Sequence, residues 1–220
     1  MYVDKIKALL TPPERKLFQK LSTPQKIQDY LDTLPINFET RGETYMSVRR
    51  TLLAKTAHCF EGALVAAAAL AYYGQIPLLM DLRTQKPYED HVVALFRSGG
   101  LWGAISKTNH FMLRYRDPVY RSARELVMSY FHEYIEDDDG KKTLREYSAP
   151  FTLARYAPET WVATGENLHW LVNALDASRH FPIAPKKVLR HLRNASSAEI
   201  KASDIVEWKP PKGFRAPGDN

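Results

Sequence analysis

Apolar positions recur at helical spacing three times before residue 36. Val3, Ile6, Leu9 and Leu10 share one face of a segment from Tyr2 to Leu10. Thr11 followed by Pro12 and Pro13 reads as a helix start, because prolines in the first turn forfeit no hydrogen bond, and that helix runs to about Leu21. Ser22-Thr23-Pro24 repeats the signal, and Ile27, Tyr30, Leu31 and Leu34 line a third helix until Pro35. From Ile36 to Leu53 the pattern is irregular, with a turn at Gly42 and a short helix over Val48 to Ala54.

The pattern then changes character. Phe60 to Tyr73 is apolar on every side, which predicts a helix buried all round and ended by Gly74. Ile76 to Leu82 reads as a buried strand and His91 to Arg97 as another. Ser98-Gly99-Gly100 turns the chain, and Leu101 to Ser106 returns antiparallel. Phe111 to Tyr115 offers a further strand. Beyond Asp117-Pro118, an amphipathic helix spans roughly Tyr120 to Ile135, and Asp137 to Lys142 is a polar loop. Ser148 to Leu153 suits an edge strand and Glu166 to Ala177 a helix; Lys186 to Arg193 is a short basic amphipathic helix.

A helix followed by an antiparallel sheet defines an α+β protein, with a buried central helix packed on the sheet and helices at either end. The divisions are an N-terminal helical subdomain (1–35), a core (36–160), a C-terminal helical extension of the same domain (161–208) and a disordered tail (209–220).

Composition narrows the class. Of 220 residues, 45% are hydrophobic and 25% charged, which excludes collagen-like and wholly disordered chains. No apolar stretch reaches the roughly 18 residues that span a bilayer, so no membrane partner is expected. A single cysteine, and a start without a secretory pattern, favour the cytoplasm. The net charge of +6 comes from 31 basic against 25 acidic residues spread along the chain, which reads as a solvated surface; nucleic acid is the disfavoured partner.

The one cysteine carries the chemistry. Cys59 falls in the first turn of the buried helix, where unpaired amides and the positive dipole end favour a thiolate and can hold an oxyanion. A thiol nucleophile needs an acid–base partner, and His91, opening a strand, is the candidate. His58 adjoins Cys59 but points about 100° away along the helix, and is expected to support the thiol. Histidine spacing and one cysteine suggest no metal site, and no cofactor is implied. A third group must orient His91. Pairing Arg97 with Gly100 brings Ser106 opposite His91; pairing it with Leu101 brings Lys107 there. Asn109 reaches back from just beyond the strand, and Asp90 is a further substitute. Glu61, on an apolar helix, calls for a partner such as Arg49, Arg50 or Lys55, or lines the cleft. Trp102 serves as core or as a cleft wall.

The order Cys59, the alanine-rich Ala63 to Leu70, Gly74-Gln75-Ile76-Pro77, His91, Gly99-Gly100 and Trp102 resembles the transglutaminase-like superfamily of the papain-like cysteine-hydrolase fold. The likeness covers about Asn37 to Asn109. It implies Cys59 as nucleophile and His91 as general base; relatives of the fold include peptidases, amidases, deamidases, acyl-transferring cross-linkers and inactive scaffolds, and a peptide or amide is the expected substrate. The family's aspartate, four residues past the tryptophan, is Ser106 here. Ser106 serves, Asn109 or Asp90 substitutes, or the site is impaired. With Trp102, His58 and Glu61 as expected substrate-side residues, the expectation is a cysteine-dependent hydrolase or acyl transferase. A non-catalytic binding module of the same fold is the alternative.

Overall fold

The computed structural model describes residues 1–40, 42–136 and 139–212. Three helices open the chain: α1 (Tyr2–Leu9), α2 (Pro12–Lys20) and α3 (Pro24–Asp32). Thr11 caps α2 reciprocally with Glu14, whose carboxylate accepts the Thr11 amide at 2.7 Å, and the Thr23 hydroxyl caps α3 by accepting the Lys26 amide. Helices α4 (Val48–Ala54) and α5 (Cys59–Tyr72) follow. Every residue of α5 from Phe60 to Tyr72 is buried. The helix ends in a Schellman turn: Gly74 takes φ 88°, its amide bonds Ala71 O, and the Gln75 amide bonds Leu70 O.

The sheet begins with β1 (Leu78–Thr84), β2 (His91–Ser98), β3 (Leu101–Ile105) and β4 (Arg116–Tyr120). Helix α6 (Ala123–Tyr130) continues as one 3₁₀ turn, and β5 (Leu144–Ser148), β6 (Phe151–Thr152), a 3₁₀ turn (Leu153–Arg155), a π-helical turn (Glu159–Ala163), α7 (His169–Asp176), β7 (His180–Pro182), α8 (Lys186–Leu189) and α9 (Ser197–Ser203) follow. The seven-stranded sheet runs β4-β3-β2-β1-β5-β7 with β6 beside β1, and its paired strands are antiparallel. The architecture is therefore α+β. Both faces of the sheet are covered. Leu79, Val92, Ala94, Phe96 and Ile105 share one cluster with α5 and with Ile6, Phe18, Ile27 and Leu31 of the N-terminal helices. Met80, Leu82, Val93, Leu95 and Ala104 meet Leu126, Val127 and Tyr130 of α6 on the other. Double burial is why β2 reads as an unbroken apolar run.

Several expectations are corrected. Phe111 to Tyr115 forms no strand; Leu113 turns the chain at φ 59° and the strand falls at β4, through Asp117-Pro118. Proline survives there because β4 is the outermost strand and needs no amide on its open side. The same reasoning admits Pro182 in β7, which brings a strand into the segment expected to be purely helical. Helix α6 and its 3₁₀ turn stop at Glu133, short of Ile135. The Ser148 to Leu153 segment splits between the end of β5 and β6, with Ala149-Pro150 between them. The basic run is helical only over Lys186–Leu189. Within the polar loop, residues 137 and 138 lie outside the described residues, as do 213–220 of the expected tail. No helix among the described residues is long and apolar enough to cross a membrane.

Candidate active site

Helix α5 begins at Cys59, which is half-buried, with His58 as the residue before it. Glu61 sets that start. Its carboxylate is 0% exposed and accepts the His58 amide at 3.1 Å, the Met46 amide at 3.1 Å, the Thr44 hydroxyl at 3.1 Å and the Asn37 side-chain amide at 3.1 Å. Glu61 is thus a buried anchor tying the segment before α4 to the helix mouth, and does not line the cleft. The expected arginine partners are engaged elsewhere: Arg49 Nε donates to Glu14 at 2.8 Å and Arg50 to Asn167 Oδ1 at 2.7 Å.

His58 packs into this anchor. Its Nε2 lies 2.8 Å from Thr44 O, a group that only accepts, so Nε2 carries a proton. The same nitrogen is 3.4 Å from Glu61 Oε1 and 3.8 Å from Glu39 Oε1. The Glu61 backbone amide faces the same side chain from the first turn of α5.

His91 opens β2 and is 7% exposed. The β2–β3 hairpin closes on a two-residue turn, Gly99 at φ 56° and Gly100 at φ 82°, so Arg97 pairs with Trp102. Neither expected register holds. Continued past its last pair, the observed one sets Ser106 opposite Val93, and His91 shares Val93's face. Ser106 therefore meets His91 diagonally, with Oγ 2.8 Å from Nε2. The Ser106 hydroxyl gives its proton to Leu113 O at 2.5 Å, so its oxygen accepts from His91 Nε2–H. That fixes the tautomer, with the proton on Nε2 and Nδ1 left as the acceptor.

Ser106 is itself clamped by a residue that sequence inspection misses. Gln28 of α3 accepts the Ser106 amide at 3.0 Å and donates to Ser106 O at 2.8 Å, acting as a short piece of extra strand. Nothing in the local pattern around Ile27 distinguishes this glutamine from a surface one.

Burial pushes the Cys59 thiol up, but hydrogen bonds from His58 and His91 and their charge outweigh it and bring it down to about 6. Burial likewise pulls His58 down, and Cys59, Glu61 and Thr44 O more than offset this, raising it to about 9. The two values belong to a coupled pair: between them thiolate and imidazolium coexist.

The pair opens on a cleft of about 630 Å³ lined in part by His58, Cys59, Tyr88, His91, Asn109 and Tyr134. Asn109 does not orient His91; its side chain exchanges two hydrogen bonds with the Trp208 backbone and pins the C-terminal segment at the rim. Asp90 takes the Thr84 amide at 2.7 Å and Lys86 at 3.2 Å, closing the β1–β2 turn. Trp102 is not a cleft residue: it lies on β3 beneath the Arg97 guanidinium, 4.9 Å from the ring centre. Among the described residues, Asp81, Asp90 and Asp176 stand near enough to share a cation. Arg83 on Asp176 at 2.6 Å, His180 on Asp81 at 3.0 Å and Lys86 on Asp90 already engage them.

No protein-family model matches this sequence, and no curated protein matches it significantly.

Proposed function

We propose that this protein is a cysteine-dependent acyl-transfer enzyme with a transglutaminase-like, papain-like core, acting on a peptide or amide carbonyl. The observation that carries the reading is that Cys59, opening α5, and His91, opening β2, line one cleft together with His58. Cys59 Sγ attacks the carbonyl carbon while the first-turn amides, with no acceptor within the helix, hold the oxyanion. The C–N bond breaks, and the proton once on the thiol leaves with the amine. His91 then takes a proton from water or an amine acceptor as it attacks the thioester, and returns it to the released sulfur. Ser106 holds the His91 ring in the tautomer this requires. A hydroxyl in that position orients the imidazole without charging it.

Intact-mass spectrometry after mixing with p-nitrophenyl acetate tests the proposal. The wild type forms an acetyl adduct at Cys59 that decays, Cys59→Ser forms none, and His91→Ala forms one that persists. A wild-type protein that never acylates, or a His91→Ala adduct that decays as fast as wild type, overturns it.

A further inference from the structure

The two imidazoles beside Cys59 stand in different surroundings. Each commits Nε2 as a donor, His58 to Thr44 O and His91 to Ser106 Oγ, which leaves each ring one further nitrogen. Around His58 are two carboxylates: Glu61 from α5 at 3.4 Å, and Glu39 from the segment before α4 at 3.8 Å. From that segment Tyr45 also approaches, ring centres 6.0 Å apart, with its hydroxyl turned to Glu43. The acceptor holding His91 is a neutral hydroxyl. Glu61 is the decisive group, since a fully buried carboxylate is stabilised most by a cation in contact, and its other donors are neutral.

We propose that His58, not His91, is the counter-ion of the Cys59 thiolate: the S–H proton rests on the His58 ring, the sulfur keeps the electron pair, and His91 is left uncharged as the base for the acyl acceptor. This rests on the acyl-transfer reading and deepens it. The carboxylate missing behind His91, where the resemblance would place an aspartate, is supplied by Glu61 behind the other imidazole. The upward shift of His58 and downward shift of Cys59 agree in direction.

The test is the pH profile of Cys59 alkylation by iodoacetamide in the wild type, His91→Asn and His58→Gln, with ¹⁵N NMR of the histidine rings in the unsubstituted protein. Wild type inflects near pH 6, and His91→Asn moves that inflection less than His58→Gln does. In His58→Gln the inflection rises by more than about one unit, toward the ordinary thiol value of about 8.5. By NMR, the ring assigned to His58 carries two N–H protons at neutral pH and loses one near pH 9. If His91→Asn moves the inflection as far as His58→Gln does or further, or the His58 ring has one proton at neutral pH, the counter-ion assignment fails and acyl transfer stands. A wild-type inflection at the ordinary thiol value overturns the acyl-transfer reading itself. The ring spectra need no substitution, so a poorly folded variant leaves the assignment testable.

Discussion

The two ends of α5 are built by opposite rules. Its C-terminal end closes on backbone alone, with Gly74 turning and the last carbonyls capped by amides. Ala63 to Ala71 before it are at most 2% exposed, and six of those positions, Ala63, Ala66 through Ala69 and Ala71, are alanine at 0%. Small side chains let the sheet, α1, α3 and α4 approach the helix closely. The N-terminal end is crowded with groups that need partners: Glu61 with its ring of donors, His58 between carboxylates, and a thiol between imidazoles. The apolar body sets where the sulfur stands. The polar mouth sets its charge.

Glu61→Ala breaks that separation most severely. It strips a buried acceptor from four donors and leaves His58 without its nearest carboxylate, so a loss of about 3–5 kcal/mol is expected in urea denaturation. Glu61→Gln keeps the shape and sharpens the contrast: a smaller stability loss, with the Cys59 alkylation profile moved upward in pH. An unchanged profile in Glu61→Gln would show that the mouth does not depend on this charge.

Gly62→Ala probes the boundary between the two ends. In an exposed helix this change stabilises by about 1 kcal/mol. Here an added Cβ would stand 2.4 Å from Lys107 Cβ, on a residue 1% exposed, and backbone must shift. The expected sign is therefore reversed, a loss of about 1–3 kcal/mol on thermal or urea unfolding. Stabilisation would mean that the strand end carrying Ser106 and Lys107 yields easily, which an oriented His91 does not allow.

Ser106→Ala separates orientation from ionisation. Removing the acceptor of His91 Nε2–H frees the ring, and decay of the acetyl adduct should slow about tenfold, roughly 1.4 kcal/mol of barrier. The alkylation profile should stay near pH 6, because His58 is untouched. A shift in that profile would tie the thiol's charge to His91.

The same contrast explains what the sequence discloses. Local signals are legible. The glycine stop and apolar run delimit α5 to within a residue, Val48–Ala54 is helical as read, and Gly99-Gly100 marks the hairpin. Cys59 and His91 come together because each opens an element whose apolar body is unmistakable. Register is harder: a two-residue turn shifts it, and Ser106 reaches His91 along the diagonal instead of directly across. Long-range partners leave no local trace. The Gln28 clamp spans 78 positions and the Asn109 bonds to Trp208 span 99. Nor does composition show that β4 is an edge strand able to carry Pro118, a fact of sheet order alone.

The mildest test lies away from the cleft, where α2 meets α4 beside the body of α5. Glu14 accepts Arg49 Nε at 2.8 Å and the Thr11 amide at 2.7 Å, and Arg49 also donates to Leu9 O at 2.7 Å. Burial raises the Glu14 carboxyl, but the Arg49 and Thr11 hydrogen bonds outweigh it and hold it below its ordinary value. A carboxyl lowered in the folded state contributes stability above its unfolded value of about 4.3, and loses it as pH falls through the folded one. Glu14→Gln should therefore cost about 1 kcal/mol at neutral pH, by thermal unfolding, with the gap to wild type narrowing below pH of about 4. Acylation of Cys59 should not change. A gap that persists in acid would mean the clamp acts through shape, and a change in acylation would mean that the body and the mouth of α5 are coupled more tightly than their construction implies.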